Sequence, residues 1–105
     1  MTDLRWKLEI RKMATAFPEF EAFWRGGHVG FTGELRSRNG RTFEVTIEVS
    51  ARRYPSRQPS IFISPQIGSN WLSDGSLCVN SAWIPERSTF AQQVSYAASY
   101  IARHG

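Results

Sequence analysis

Asn39-Gly40-Arg41-Thr42-Phe43-Glu44-Val45-Thr46-Ile47-Glu48-Val49 is the stretch that decides the fold. From Thr42 onward the residues alternate strictly: Phe43, Val45, Ile47 and Val49 are apolar, and Thr42, Glu44, Thr46 and Glu48 are polar. Successive side chains of a strand point to opposite faces, so this pattern describes a strand with one buried and one wet face. One-sided strands of this kind belong to antiparallel sheets. The Asn-Gly pair just before it is a hairpin signal, because both residues tolerate the positive φ of a tight turn. The strand therefore requires an upstream partner, and residues 28–36 supply one, with Val29, Phe31 and Leu35 as its apolar positions. Downstream, Pro55 and Pro59 bracket a loop, and Ile61-Phe62-Ile63 predicts a third, short strand ending at Pro65.

Outside this antiparallel meander the period changes. Trp6, Ile10, Met13, Ala14 and Phe17 recur at helical spacing and predict a helix over 3–16, capped by Thr2 or Asp3 and stopped by Pro18. Residues 17–27 are expected to form a loop or short turn closed by Gly26-Gly27. Thr89-Phe90-Ala91-Gln92 fits a capping box, in which the Thr side chain and the Gln side chain satisfy each other's backbone amides. It opens a second helix with Phe90, Val94, Ala97, Ala98 and Ile101 as the buried face and Gly105 just past its end. Residues 66–87 read as mostly irregular, and an irregular stretch of that length in so small a domain points to function. The fold class is α+β: an N-terminal helix, an antiparallel meander sheet, a long irregular loop and a central helix, in one domain spanning 1–105.

Composition narrows the function classes. At 41% hydrophobic and 21% charged residues the chain is globular, and no apolar run approaches membrane-spanning length. The N-terminal residues lack a signal-peptide core, and a lone cysteine allows no internal disulfide, so a reducing cytoplasm is the expected compartment. The net charge of +4 fits an acidic protein partner as well as nucleic acid. No zinc spacing, phosphate-binding glycine loop or RNA-binding aromatic signature occurs, so neither metal nor cofactor is expected.

That leaves the cysteine. Cys78 lies in Ile67-Gly68-Ser69-Asn70-Trp71-Leu72-Ser73-Asp74-Gly75-Ser76-Leu77-Cys78-Val79-Asn80. A lone cysteine is commonly a small buried hydrophobe. Here it follows a run of Gly, Ser, Asn and Asp, the composition of a surface loop, where reactive groups are presented.

Four elements come in a fixed order: Tyr54-Pro55-x-x-x-Pro59, Asn70 eight residues before Cys78, Trp83-x-Pro85, and a helix. Over residues 2–103 this order resembles the ubiquitin-conjugating enzymes, in which a His-Pro-Asn triplet precedes the catalytic cysteine. Here the triplet reads Gly68-Ser69-Asn70: the Asn is kept and the His-Pro is absent. The spacing from Cys78 to Trp83 is also a few residues shorter than usual, and the two further C-terminal helices of the family are not in this chain. The resemblance therefore implies a minimal member of the bacterial type, some of whose relatives are encoded in antiphage operons.

On that resemblance Cys78 would carry a ubiquitin-like protein as a thioester and pass it to an amine of a target protein. Asn70 would stabilise the oxyanion or brace the loop. Asn80, Asp74 and Trp83 would support: Asn80 by orienting the amine, Asp74 by turn chemistry with Gly75, and Trp83 by packing over the loop with Pro85. The basic residues of the first helix, Arg5, Lys7, Arg11 and Lys12, would dock the activating enzyme. Two rivals stand beside this reading. One is a non-catalytic, RWD-type binding module of the same fold. The other is a cysteine hydrolase, which needs a histidine near the thiol; His28 and His104 lie far from Cys78 in sequence. Nucleic-acid binding rests on charge alone.

Overall fold

The structure, a computed structural model, describes residues 1–105. Helix α1 spans Asp3–Ala16, strands β1 to β4 span Glu21–Arg25, His28–Arg36, Thr42–Ser50 and Ser60–Ser64, and helix α2 spans Phe90–His104. The strands pair antiparallel in chain order, β1-β2-β3-β4. This is an α+β architecture with a four-stranded sheet and both helices on one of its faces. Phe43, Val45, Ile47 and Val49 of β3 are buried, as the alternation requires. They meet Val29 and Phe31 of β2, Ile61 and Ile63 of β4, and the face of α2 formed by Phe90, Val94, Ala97, Tyr100 and Ile101. Tyr100 is buried where the sequence pattern favours Ala98, which is half-buried.

The capping box forms: the Thr89 hydroxyl accepts from the Gln92 N–H at 3.3 Å, and the Gln92 side chain accepts from the Thr89 N–H at 3.2 Å. At the other end the Gly105 N–H donates to the Ile101 carbonyl.

Three expectations need correction. Residues 21–25 are a strand, not loop. Gly26 and Gly27 have φ of 60° and 77°, and Arg25 pairs with His28 across them, which is the two-residue hairpin turn that demands positive φ twice. Only Phe23 of β1 is even half-buried, so the strand carries no apolar alternation, and Gly-Gly was its one signal. The Asn39-Gly40 hairpin also closes differently. Only Gly40 takes positive φ, and the turn spans Ser37–Gly40, with the Gly40 N–H donating to the Ser37 carbonyl and the Ser37 hydroxyl to the Asn39 side chain.

Finally, α1 is rotated from its apolar stripe. Ile10 and Ala14 face solvent, while Met13 and the charged Glu9 are buried and Trp6 and Phe17 are half-buried. Trp6 packs on Phe31 and Phe90, with ring centroids 5.2 and 5.9 Å away. The rotation follows from the partners that Glu9 finds inside.

Candidate functional site

Residues 65–89 join β4 to α2 without a regular helix or strand, and two different devices hold the two halves of this segment. In the first half the chain turns back on itself. Trp71 and Leu77 form an isolated antiparallel bridge, closed by Leu72 N–H to Ser76 O at 2.8 Å and Gly75 N–H to Leu72 O at 3.0 Å. Leu77 is buried and its N–H donates to Ile61 of β4. Next to it, the Cys78 N–H donates to the Asn70 carbonyl at 2.8 Å, which fixes these two residues relative to each other. From α2, the Tyr100 hydroxyl donates to the Ile67 carbonyl at 2.7 Å, and the Trp71 indole N–H donates to the same carbonyl at 3.0 Å. Gly68 fits between because it has φ of 71° and no side chain; a Cβ there would lie 2.1 Å from the Tyr100 hydroxyl oxygen.

Cys78 is exposed. It lines a cleft of about 440 Å³ together with Asn70, Asn80 and, from α2, Tyr96, Ser99 and Arg103. Asn70 and Asn80 are both exposed. The Asn70 carbonyl is used by Cys78, whereas its side-chain amide makes no hydrogen bond within the protein and stays available at the cleft.

Asp74 and Trp83 do not line this cleft. The Asp74 carboxylate accepts from the Ser76 hydroxyl at 2.6 Å and from the Ser76 N–H at 2.9 Å, which closes the turn. These bonds, the hydroxyl's first, hold the carboxyl below its ordinary value. Its side chain lines a separate polar cleft with His28, Arg53 and Arg57. Trp83 donates from its indole N–H to the Pro55 carbonyl at 2.6 Å and packs on Tyr54 with tilted rings, their centroids 5.9 Å apart. It braces the Tyr54-Pro55 corner and does not cover the cysteine. The histidines stay apart too: His28 is in the polar cleft, and His104 packs on Tyr100 at 4.3 Å without reaching the lining of the Cys78 cleft. No three His, Cys, Asp or Glu side chains group closely enough to hold a metal ion.

The second half of the segment is bolted to α1 by a buried polar cluster that sequence reasoning missed. Arg5 donates through Nε to Glu9 at 2.9 Å, through one terminal nitrogen to the Pro85 carbonyl at 2.7 Å, and through the other to the Ser88 carbonyl at 2.7 Å and the Tyr54 hydroxyl at 3.1 Å. The Tyr54 hydroxyl in turn donates to Glu9. The other Glu9 oxygen accepts from the Phe90 N–H at 3.1 Å, so a carboxylate from α1 caps the first turn of α2. Burial, and then the bond to Glu9, push the Tyr54 phenol far above its ordinary value. For Arg5, burial pulls downward, but the bonds to Glu9 and Tyr54 outweigh it and the net shift is upward.

Arg5 therefore leaves the proposed basic docking face: its guanidinium is spent on four acceptors inside the protein. Lys7, Arg11 and Lys12 remain exposed. The one sequence signal for this cluster was the Arg5–Glu9 spacing of four on a helix, which by itself describes a surface pair.

No protein-family model, curated protein or solved structure matches the chain. No helix is long and apolar enough to cross a membrane.

Proposed function

We propose that the protein is a ubiquitin-conjugating-like enzyme that carries a ubiquitin-like protein, or another protein C-terminus, as a thioester on Cys78. The observation that carries this reading is the exposed thiol in a cleft shared with the free amide of Asn70, the two residues being locked together by the Cys78 N–H to Asn70 O bond. The order of helix, antiparallel meander, irregular segment and helix also supports it.

In the first step the Cys78 thiolate attacks the activated carbonyl and expels the donor's thiol. In the second an amine attacks the thioester, a tetrahedral oxyanion forms, and the Cys78 thiolate leaves as the amide is made. A donor aimed at that oxyanion lowers the second barrier, and the Asn70 side-chain N–H is the group free to do so. Asn80 lies in the same cleft for the incoming amine. Lys7, Arg11 and Lys12 form the reduced basic face for an acidic activating enzyme. A bacterial conjugation system is the setting that the family resemblance implies.

The test uses chemically prepared C-terminal thioesters of ubiquitin-like proteins, so no activating enzyme is needed. Wild type should gain one modifier mass, and the adduct should be cleaved by added thiol. Cys78→Ser should give a slower, thiol-resistant oxyester. A wild type that accepts no acyl group, or an adduct that persists in Cys78→Ala, overturns the carrier and leaves the non-catalytic binding module as the better reading.

A further inference from the structure

Strand β1 is an open edge of the sheet: its one strand neighbour is β2, and four of its five residues are exposed. An unpaired strand edge presents a row of N–H and C=O groups to whatever can align with it. Which groups face outward follows from the hairpin. Arg25 and His28 flank a two-residue turn, so they form a hydrogen-bonded pair, and the pattern alternates from there. Arg25, Phe23 and Glu21 therefore bond toward β2. Ala22 and Trp24 direct their N–H and C=O groups to the free edge.

We infer that β1 pairs with β1 of a second copy, antiparallel and centred on Phe23, to make a continuous sheet across a two-fold axis. The register is fixed by three features of Glu21-Ala22-Phe23-Trp24-Arg25. Symmetric antiparallel pairing that joins outward-facing residues can centre only on Ala22, Phe23 or Trp24. Centring on Phe23 alone overlaps all five residues, and it sets Ala22 opposite Trp24 of the second copy as the hydrogen-bonded pair, twice by symmetry. The same register sets Glu21 opposite Arg25 of the second copy, again twice, and residues directly opposite share a face and interact. Centring on Ala22 or Trp24 loses both charge pairs.

Size complementarity agrees. Trp24 is 51% exposed, its indole edge-on to Trp6 at 6.0 Å, and the small Ala22 leaves room across the axis for it. Edges meant to stay single are blunted by charge of one sign or by proline. This edge carries one acid and one base, spaced so that they complement themselves. Five residues per strand bury little area, so the association belongs to the weak, concentration-dependent class. It is independent of the thioester reading: Cys78 follows Leu77, which is bonded to β4 at the opposite edge, so both clefts stay open at the far ends of the dimer.

Sedimentation across concentration, up to millimolar, tests the proposal. Wild type should move reversibly from the 12.0 kDa chain mass toward twice that mass. Glu21→Arg sets arginine against arginine twice and should weaken association at least about tenfold, a cost of about 1.4 kcal/mol. Adding Arg25→Glu to it recreates the pairs in reverse and should restore association to near wild type. Ala22→Pro removes an outward N–H that β2 does not use and should abolish the dimer while the circular dichroism stays native. A wild type that remains monomeric throughout overturns the proposal. So does a double variant that associates no better than Glu21→Arg, because a general loss of fold or solubility would not be reversed by the second change.

Discussion

The two halves of the segment between β4 and α2 are built on opposite plans. From Trp83 to Thr89 the chain is pinned by side chains: Arg5, Glu9, Tyr54 and Ser88 satisfy one another and the neighbouring carbonyls, and no buried polar side-chain atom is left without a partner. From Ile67 to Asn80 it is pinned by backbone bonds, by the Asp74–Ser76 pair at the turn and by the Tyr100 and Trp71 side chains, while the polar side chains that line the cleft, Asn70, Cys78 and Asn80, remain exposed. One half spends its polar groups on holding the fold. The other leaves unspent the polar side chains that line its cleft, as a site that must bind something needs.

If that contrast is right, substitutions in the two halves fail in different ways. The largest effect belongs to the bolt. Glu9→Ala orphans the Phe90 N–H and the Tyr54 hydroxyl, and Arg5→Ala leaves the Glu9 carboxylate buried without its counter-charge; each should cost about 3 kcal/mol or more in urea denaturation. Reversing Lys7, Arg11 and Lys12 together should change stability much less. Equal losses would mean that Arg5 is ordinary surface charge and the contrast is false.

An intermediate effect belongs to Gly68. Gly68→Ala forces a side chain onto positive φ and into the Tyr100 hydroxyl, and should cost roughly 1–2 kcal/mol. Its mark is local: hydrogen exchange at the Cys78 amide should accelerate more than at the core strand amides of Val45 and Ile47. Uniform acceleration would show that the two halves open as one.

The smallest effect on stability belongs to Asn70→Ala, within about 0.5 kcal/mol, because its side chain bonds to nothing in the protein. Discharge of preloaded Cys78 to free lysine should nevertheless slow on the order of 100-fold in single-turnover measurement. A stable variant with unchanged discharge would remove Asn70 from the chemistry, and an unstable one would make it a brace.

What the sequence made legible follows the same division. The β3 alternation and the α2 capping box are local patterns, and both are found where their residues predict them. Glu9 was not legible, because an apolar-periodicity reading turns every carboxylate outward, and its partners Tyr54 and Phe90 lie 45 and 81 residues away. That one buried charge rotates α1 by enough to expose Ile10. β1 was lost for the opposite reason: an edge strand exposed on both faces has no burial pattern to read. In the loop, the family resemblance set Asn70 beside Cys78 and turn composition gave Asp74 its place in the turn, but spacing along an irregular chain could not tell that Trp83 braces the Tyr54-Pro55 corner instead of packing over the loop.

The bond from Glu9 to the Phe90 amide also ties together parts of the chain that the sheet leaves separate. Every strand pairs with its neighbour in sequence, so the meander can zip from its turns outward with short loop closures. The start of α2 is served locally only in part, by the Thr89–Gln92 capping box. The Phe90 amide is satisfied by a carboxylate 81 residues away, and that carboxylate is tolerable in the interior because Arg5 and Tyr54 bond to it. Capping the first turn of α2 and burying the polar face of α1 are therefore one and the same contact, and neither helix keeps its native surroundings without the other.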